Sequence, residues 1–237
     1  MGLPHAAAAL RKLERQQEIV ANNLANVSTA GFKAERAFAH LMGNTDYVQL
    51  GAATDRRQGS IAVTNNPLDL ALERDGFFVV QTPTGEQLTR GGSFRLDTEG
   101  YLVDARGAKV LGEDPAKPGI SEPVKLPANA QRIAIGRDGA ITADGVGFGR
   151  LRVEGVPPNE SLQHAGDGRF LPSDNRRPLI NAERAVRQGA VEESNVSQIE
   201  AMVSLIDIQR AYTSAQRAVS AIDDARAIVV GDLARPR

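Results

Sequence analysis

The chain of 237 residues contains no cysteine and no tryptophan, and its aromatics are only 7 Phe and 3 Tyr. Without cysteine there is no disulfide scaffold, no thiolate metal site, no iron–sulfur cluster and no cysteine nucleophile. An excess of charge is lacking too: 28 Lys and Arg against 29 Asp and Glu leave a net charge of -1. A general polyanion binder needs a clustered basic surface, so no nucleic-acid partner is expected. No apolar run approaches the ~20 residues that cross a bilayer, so no membrane insertion is expected. The apolar stretch Ala6 to Leu10 is followed directly by Arg11, Lys12, Glu14 and Arg15, and is too short for the core of a cleaved signal peptide. The length allows one or two domains with a core of their own.

Helix breakers are missing from two stretches. Neither Gly nor Pro occurs from His5 to Ala30 or from Ala190 to Val230, whereas nearly all of the 23 Gly and 12 Pro lie between Gly43 and Gly189. Both residues punctuate turns and are disfavoured inside helices, so the pattern predicts helical ends around a turn-rich middle. In the first stretch Leu10, Leu13, Gln17, Val20, Leu24 and Val27 recur every three or four residues, the spacing of an a/d seam. This predicts a helix over about residues 5–30, closed by Gly31 in a left-handed C-cap with Phe32 folding back on Val27. Asn22, Asn23 and Asn26 are poor helix formers placed within it. Two readings of these amides are open: a solvated polar face, or inter-chain hydrogen bonds that set register.

The second helix opens on Ser197 with Glu200 three residues on, a capping box preceded by Val196. Ile199, Val203, Ile206, Arg210 and Thr213 make one stripe along it; Met202, Leu205, Gln209, Tyr212, Gln216 and Val219 make a neighbouring one. The apolar surface is wider than a two-stranded seam needs. A lone long helix has no core, so the two ends are expected to pack on each other or on other subunits.

Between them the pattern shifts to short runs of period two: Ile61 to Thr64, Leu68 to Leu72, Phe77 to Gln81, Gln87 to Arg90, Phe94 to Leu96 and Tyr101 to Val103, then Arg132 to Gly136, Ala140 to Ala143 and Phe148 to Val153. Turn signals such as Asp75-Gly76, Asp97 to Gly100 and Arg106-Gly107 separate them, as in an all-β domain. The expected fold class is therefore α+β: terminal α-helices paired as a discontinuous coiled-coil domain, with an inserted all-β middle domain. The expected divisions are an N-terminal helix in 1–35, an extended linker in 36–64, the β domain in 65–185 and a C-terminal helix in 186–237.

Catalytic patterns do not emerge. His5, His40 and His164 are scattered without a ligand set, and no GxSxG elbow exists. Gly145 to Gly149 is glycine-rich, yet strand-like sequence follows where a phosphate loop would open a helix. Asp223-Asp224 and Glu192-Glu193 read as solvated helix surface and cap charge. Asp138, Asp144 and Glu154 are the nearest candidates for the carboxylate pair of a peptidoglycan-cleaving enzyme, with turn acids as the ordinary reading.

Several motifs together identify a family. Asn22-Asn23-Leu24-Ala25-Asn26-Val27-Ser28-Thr29-Ala30-Gly31-Phe32-Lys33 is similar to the N-terminal signature of the flagellar basal-body rod and hook proteins. Asn66 to Leu72, Asp75 to Phe78 and Thr89 to Phe94 resemble the entry to their β domain, and Glu193 to Val196, Glu200, Met202-Val203, Ile206 and Gln209 to Tyr212 their C-terminal signature. The resemblance implies a non-enzymatic structural subunit without cofactor or metal. It further implies export through the flagellar export apparatus on an uncleaved N-terminus, and folding at the growing tip. There the chain would assemble with copies of itself and other rod or axial proteins into a hollow tube that transmits torque across the periplasm. The short middle resembles the proximal-rod type more than the hook; a distal-rod or hook-type subunit, or a free-standing coiled-coil module, are the alternatives. The residues implied at the assembly interface are Leu13, Val20, Asn22, Asn23, Leu24, Asn26, Val27, Gly31 and Phe32 on the N-terminal side, and Asn195, Val196, Ile199, Met202, Val203, Ile206 and Tyr212 on the C-terminal side.

Overall fold

The computed structural model describes residues 3–41, 48–114, 121–127 and 129–233. It is an α+β structure, with long helices at the two ends and a large β middle. The chain divides into two compact units, one of Met1–Ala25, Glu35–Ala53 and Ser197–Arg237, the other of Asn26–Ala34 and Thr54–Val196.

The first unit contains helix α1, Leu3–Ala25, and a 36-residue helix, Gln198–Leu233. The 36–64 segment, expected as an extended linker with a strand at Ile61 to Thr64, carries that strand as Ile61–Val63 and, before it, the paired strands Glu35–Leu41 and Val48–Thr54. Helix α1 stops at Ala25 instead of running on to about residue 30. Asn22 and Asn23 fall in its final turn and Asn26 just beyond it. Asn26 starts a turn, its carbonyl accepting from the Thr29 amide at 3.1 Å and its side-chain oxygen from the Thr29 hydroxyl at 3.3 Å. Gly31 does take the left-handed conformation, φ 69°, but not as the cap of α1. It passes so close to the Arg90 backbone that a Cβ would lie 2.2 Å from the carbonyl carbon.

The second unit is built on a 13-stranded sheet. Its main path runs Ile133–Ile135, Ala140–Ala143, Val146–Leu151, Lys109–Glu113, Phe77–Thr82, Gly85–Thr89, Arg169–Phe170, His164–Gly166. The central strand Phe77–Thr82 pairs with both of its neighbours, Val80 opposite Gln87 on one side and Val110 on the other. Successive side chains of a strand point to opposite faces. Phe78 and Val80 accordingly enter one core with Leu70, Leu102, Val110 and Leu151, while Phe77 and Val79 enter a second with Leu88, Leu111 and Phe170. An unbroken apolar run is what a strand covered on both faces requires.

Two turns of this unit repeat one design. In Asp97–Tyr101 and Asp104–Ala108 the aspartate Oδ1 accepts from the amides two and four residues on, at 2.8–2.9 Å in the first and 2.9–3.0 Å in the second. Gly100 and Gly107 close them at φ 85° and 86°, a region that a Cβ would disfavour.

The chain leaves this unit as strand rather than helix. Val186–Gln188 pairs with Leu70–Leu72, and Ala190–Glu192 with Ile61–Val63. The long helix begins at Gln198, directly after the Ser197 cap read from sequence, while the strands Val186–Gln188 and Ala190–Glu192 lie inside the 186–237 division expected to hold it. A single helical turn, α2 (Asn181–Arg184), precedes these strands, so the long helix Gln198–Leu233 is α3.

Candidate assembly interface

Helix α3 starts where its cap residues put it. The Ser197 hydroxyl accepts from the Glu200 amide at 3.4 Å, and the Ser197 carbonyl from the Ala201 amide at 2.9 Å. Along the helix the positions withdrawn from solvent are Ala201, Leu205, Ile208, Tyr212, Ala215, Val219 and Ile222, alternating four and three residues apart. Helices α1 and α3 contact one another extensively. The Tyr212 hydroxyl donates to Glu14 Oε1 at 3.0 Å, and that bond raises the phenol above its ordinary titration range.

A second apolar stripe remains outside. Ile199 is 77% exposed, Val203 53%, Ile206 49% and Met202 44%. At 3.6 residues per turn these residues lie roughly opposite the Ala201-to-Ile222 seam. Polar residues flank them: Asp207, Gln209, Arg210 and Thr213 are exposed. Covering side chains of this class stabilises by on the order of 1 kcal/mol each when they start half exposed. A contiguous apolar stripe with a polar rim is the usual mark of a protein contact. Of the interface residues read from sequence, Ile199, Met202, Val203 and Ile206 therefore stand together and accessible, while Tyr212 is on the α1 side.

The N-terminal candidates divide between buried, half-buried and exposed positions. Leu13, Val20 and Leu24 are half-buried along α1, as are Leu10 and Gln17. The most buried apolar residue of α1 is Ile19, outside the predicted seam, with Asn23 one turn further on. Asn23 is neither on a solvated face nor available to another chain. Its Nδ2 donates to the Glu35 carbonyl and its Oδ1 accepts from the Glu35 amide, both at 2.8 Å, as a neighbouring strand would. Asn22 is exposed, and Asn26 serves the turn described above.

In the second unit Gly31 and Phe32 are buried, with Phe32 6.0 Å from the ring of His164. Val27 and Val196 are half-buried. Asn195 ties passes of chain together, accepting from the Ala34 amide at 2.7 Å and donating to the Asp55 and Arg57 carbonyls at 2.9 Å each. Glu192, expected as a solvated acid of a helix, is fully buried on a strand and paired with Lys33 at 2.6 Å and Arg90 at 2.6 Å. Burial pushes both cations below their ordinary titration ranges, against the pull of the carboxylate. The sequence showed these three charges but not their meeting, because Lys33 and Glu192 are 159 positions apart.

The acids considered for hydrolysis are engaged structurally. Glu154 is buried beside Arg152 and, at 2.7 Å, Arg176. Asp144 accepts from the amides of Gln131 and Arg132. Asp138 is held below the usual carboxylate range, chiefly by the Ala140 amide and then by Arg150. A general acid for glycoside cleavage needs its pKa raised, the reverse of the shift at Asp138. Among the described residues no helix is long and apolar enough to cross a membrane.

Comparison with known proteins supplies family matches along the chain. Residues 3–33 match the family described as flagella basal body rod protein, residues 71–143 the flagellar hook protein FlgE/F/G D1 domain, and residues 187–229 the flagellar basal body rod FlgEFG protein C-terminal region. The chain is 34% identical over 219 residues to the flagellar basal-body rod protein FlgF of Rhizobium meliloti, covering 89% of this chain and 88% of the relative. It is 33% identical over 242 residues to FlgF of Escherichia coli, with 92% of each chain covered. It is also 33% identical over 250 residues to the rod protein FlgG of Buchnera aphidicola, covering 89% and 92%. With helical ends, a β middle and matches at both termini and between them, the chain belongs to the flagellar basal-body rod protein family.

Proposed function

We propose that this structural rod subunit, which is not an enzyme, assembles through its terminal helices, with the outer stripe of α3 seated on a neighbouring copy. The carrying observation is that α3 has apolar side chains on two sides, and α1 faces only one of them. In this reading α1 and α3 pair as a discontinuous coiled-coil domain, the three- and four-residue spacing on both helices supporting it. The β unit is the inserted middle domain. Partners are copies of the chain and other axial proteins of the flagellum, forming a hollow tube that transmits torque. The flagellar export apparatus would deliver the chain on its uncleaved N-terminus to the periplasmic rod. The short middle favours the proximal-rod position.

Ile206→Asp tests the reading. An aspartate there leaves the isolated chain folded, since the position is already solvated, but places a charge in any contact made by the stripe. The expected outcome is a soluble, helical chain absent from purified basal bodies and cells that do not swim. Normal incorporation and swimming would remove the α3 stripe from the interface.

A further inference from the structure

Glu192 is fully buried in the second unit and joins separate passes of the chain. Its Oε1 accepts from Lys33 Nζ at 2.6 Å and from the Gly59 amide at 3.0 Å, and its Oε2 from Arg90 Nε at 2.8 Å. Lys33 and Arg90 are themselves 2% and 3% exposed. Arg90 Nη2 also lies 2.6 Å from Glu192 Oε2, and the other bonds of the two cations go to backbone carbonyls: Lys33 donates to Arg57 at 2.7 Å, and Arg90 Nη1 to Arg74 at 2.7 Å and Gly76 at 2.8 Å. One carboxylate thus serves two buried cations. It comes from the strand that leaves the unit, whereas Lys33 comes from the segment that enters it. The same two passes meet through their backbones: the Gly31 amide donates to the Glu192 carbonyl at 2.7 Å, and the Asn195 amide to the Phe32 carbonyl at 3.3 Å.

We propose that Lys33, Arg90 and Glu192 are a latch that makes seating of the N-terminal pass, residues 31–34, conditional on docking of the C-terminal pass, residues 190–195. Without the carboxylate, closing the N-terminal pass would bury two like charges bonded to carbonyls, with only the weaker pull of Asp55 on Lys33 and of Asp75 on Arg90 to offset them, which is strongly unfavourable. Lys33 and Arg90 are therefore kept from closing the site until Glu192 arrives. Since Glu192 lies late in the chain, a partly synthesised or partly folded chain holds its N-terminal pass open. The latch lies wholly within the second unit and does not depend on what the terminal helices bind.

Native-state hydrogen exchange on the full chain tests the charge logic, with the Phe32 amide, bonded to the Thr29 carbonyl, reporting the N-terminal pass and the Glu193 amide, bonded to the Ser60 carbonyl, reporting the C-terminal pass. Glu192→Gln should raise exchange at both passes together by about a hundredfold or more, while Val79 and Leu88 stay protected. Lys33→Met, which leaves Arg90 and Glu192 as a neutral pair, should loosen both by only about tenfold. The double variant Lys33→Met/Glu192→Gln should exchange more slowly than Glu192→Gln alone, because it removes one of the two orphaned cations. The proposal is overturned if Glu192→Gln loosens Glu193 while Phe32 keeps native protection. It is equally overturned if the double variant is looser than Glu192→Gln. Should Glu192→Gln not fold, Lys33→Met still decides: loosening at Glu193, whose amide bonds Ser60, supports the latch, and native protection there overturns it.

Discussion

The central strand of the second unit and the last helix of the first use the same kinds of side chain in opposite ways. Phe77, Phe78, Val79 and Val80 are at most 4% exposed, with a core on each face of the strand. Ile199, Met202, Val203 and Ile206 are at least 44% exposed, and only the other side of α3 is covered by its own chain. Apolar burial is the dominant favourable term in folding and association alike. The strand has used that term within the chain; the helix keeps part of it for contact with another.

The comparison is broken most forcefully from the β side. Phe78 is fully buried and meets Phe94 edge to face at 5.3 Å between ring centroids. Phe78→Ala should destabilise the second unit by about 3–5 kcal/mol, read as a lower melting midpoint of the isolated chain. If the isolated chain tolerated this change, its β unit would not be the self-sufficient part.

Asn23→Ala should have a smaller effect. It removes both bonds to Glu35 and leaves a backbone amide and carbonyl without their partners, at about 1–3 kcal/mol. Hydrogen exchange should show this as faster opening at Glu35, with the Phe77–Thr82 strand unchanged. Equal loosening of both regions would mean that the two units do not respond separately.

Legibility in the sequence divides along the same line. Period-two runs and Asp-Gly turns are local signals, and the strands at Ile61–Val63, Leu70–Leu72, Phe77–Thr82 and Ala140–Ala143 fall where those signals lie. The exposed stripe of α3 could be seen as a pattern too, through Ile199, Val203 and Ile206. Which side of α3 would meet α1 was not local information. The seam that does so includes Ala201 and Ala215, whose small side chains weaken any hydrophobic pattern. Similarly, Asn23 looked like any helix-surface amide because its partner is the backbone of Glu35. Glu192 looked like a surface acid because both of its cations come from distant segments.

The smallest expected effect is at the surface of the second unit. Arg177, and then the Ile180 amide, hold the exposed Glu183 at about 2, below its ordinary 4.5. A carboxylate with a depressed folded-state pKa stabilises fully above its ordinary value and loses that contribution as pH falls through the folded one. The native chain should therefore lose slightly more melting temperature between pH 4.5 and about 2 than Glu183→Gln does, and salt should shrink the difference.

The most direct measurement uses the chain's lack of cysteine. Ile206→Cys would introduce its single thiol in the middle of the exposed stripe, and Val146→Cys would place one on the exposed surface of the β unit as a control. Maleimide labelling is then timed on the isolated chain and on purified basal bodies. If the stripe is an assembly surface, the thiol at 206 reacts freely in the isolated chain and at least about tenfold more slowly in the assembled rod. Equal labelling of that thiol in both states would contradict the account.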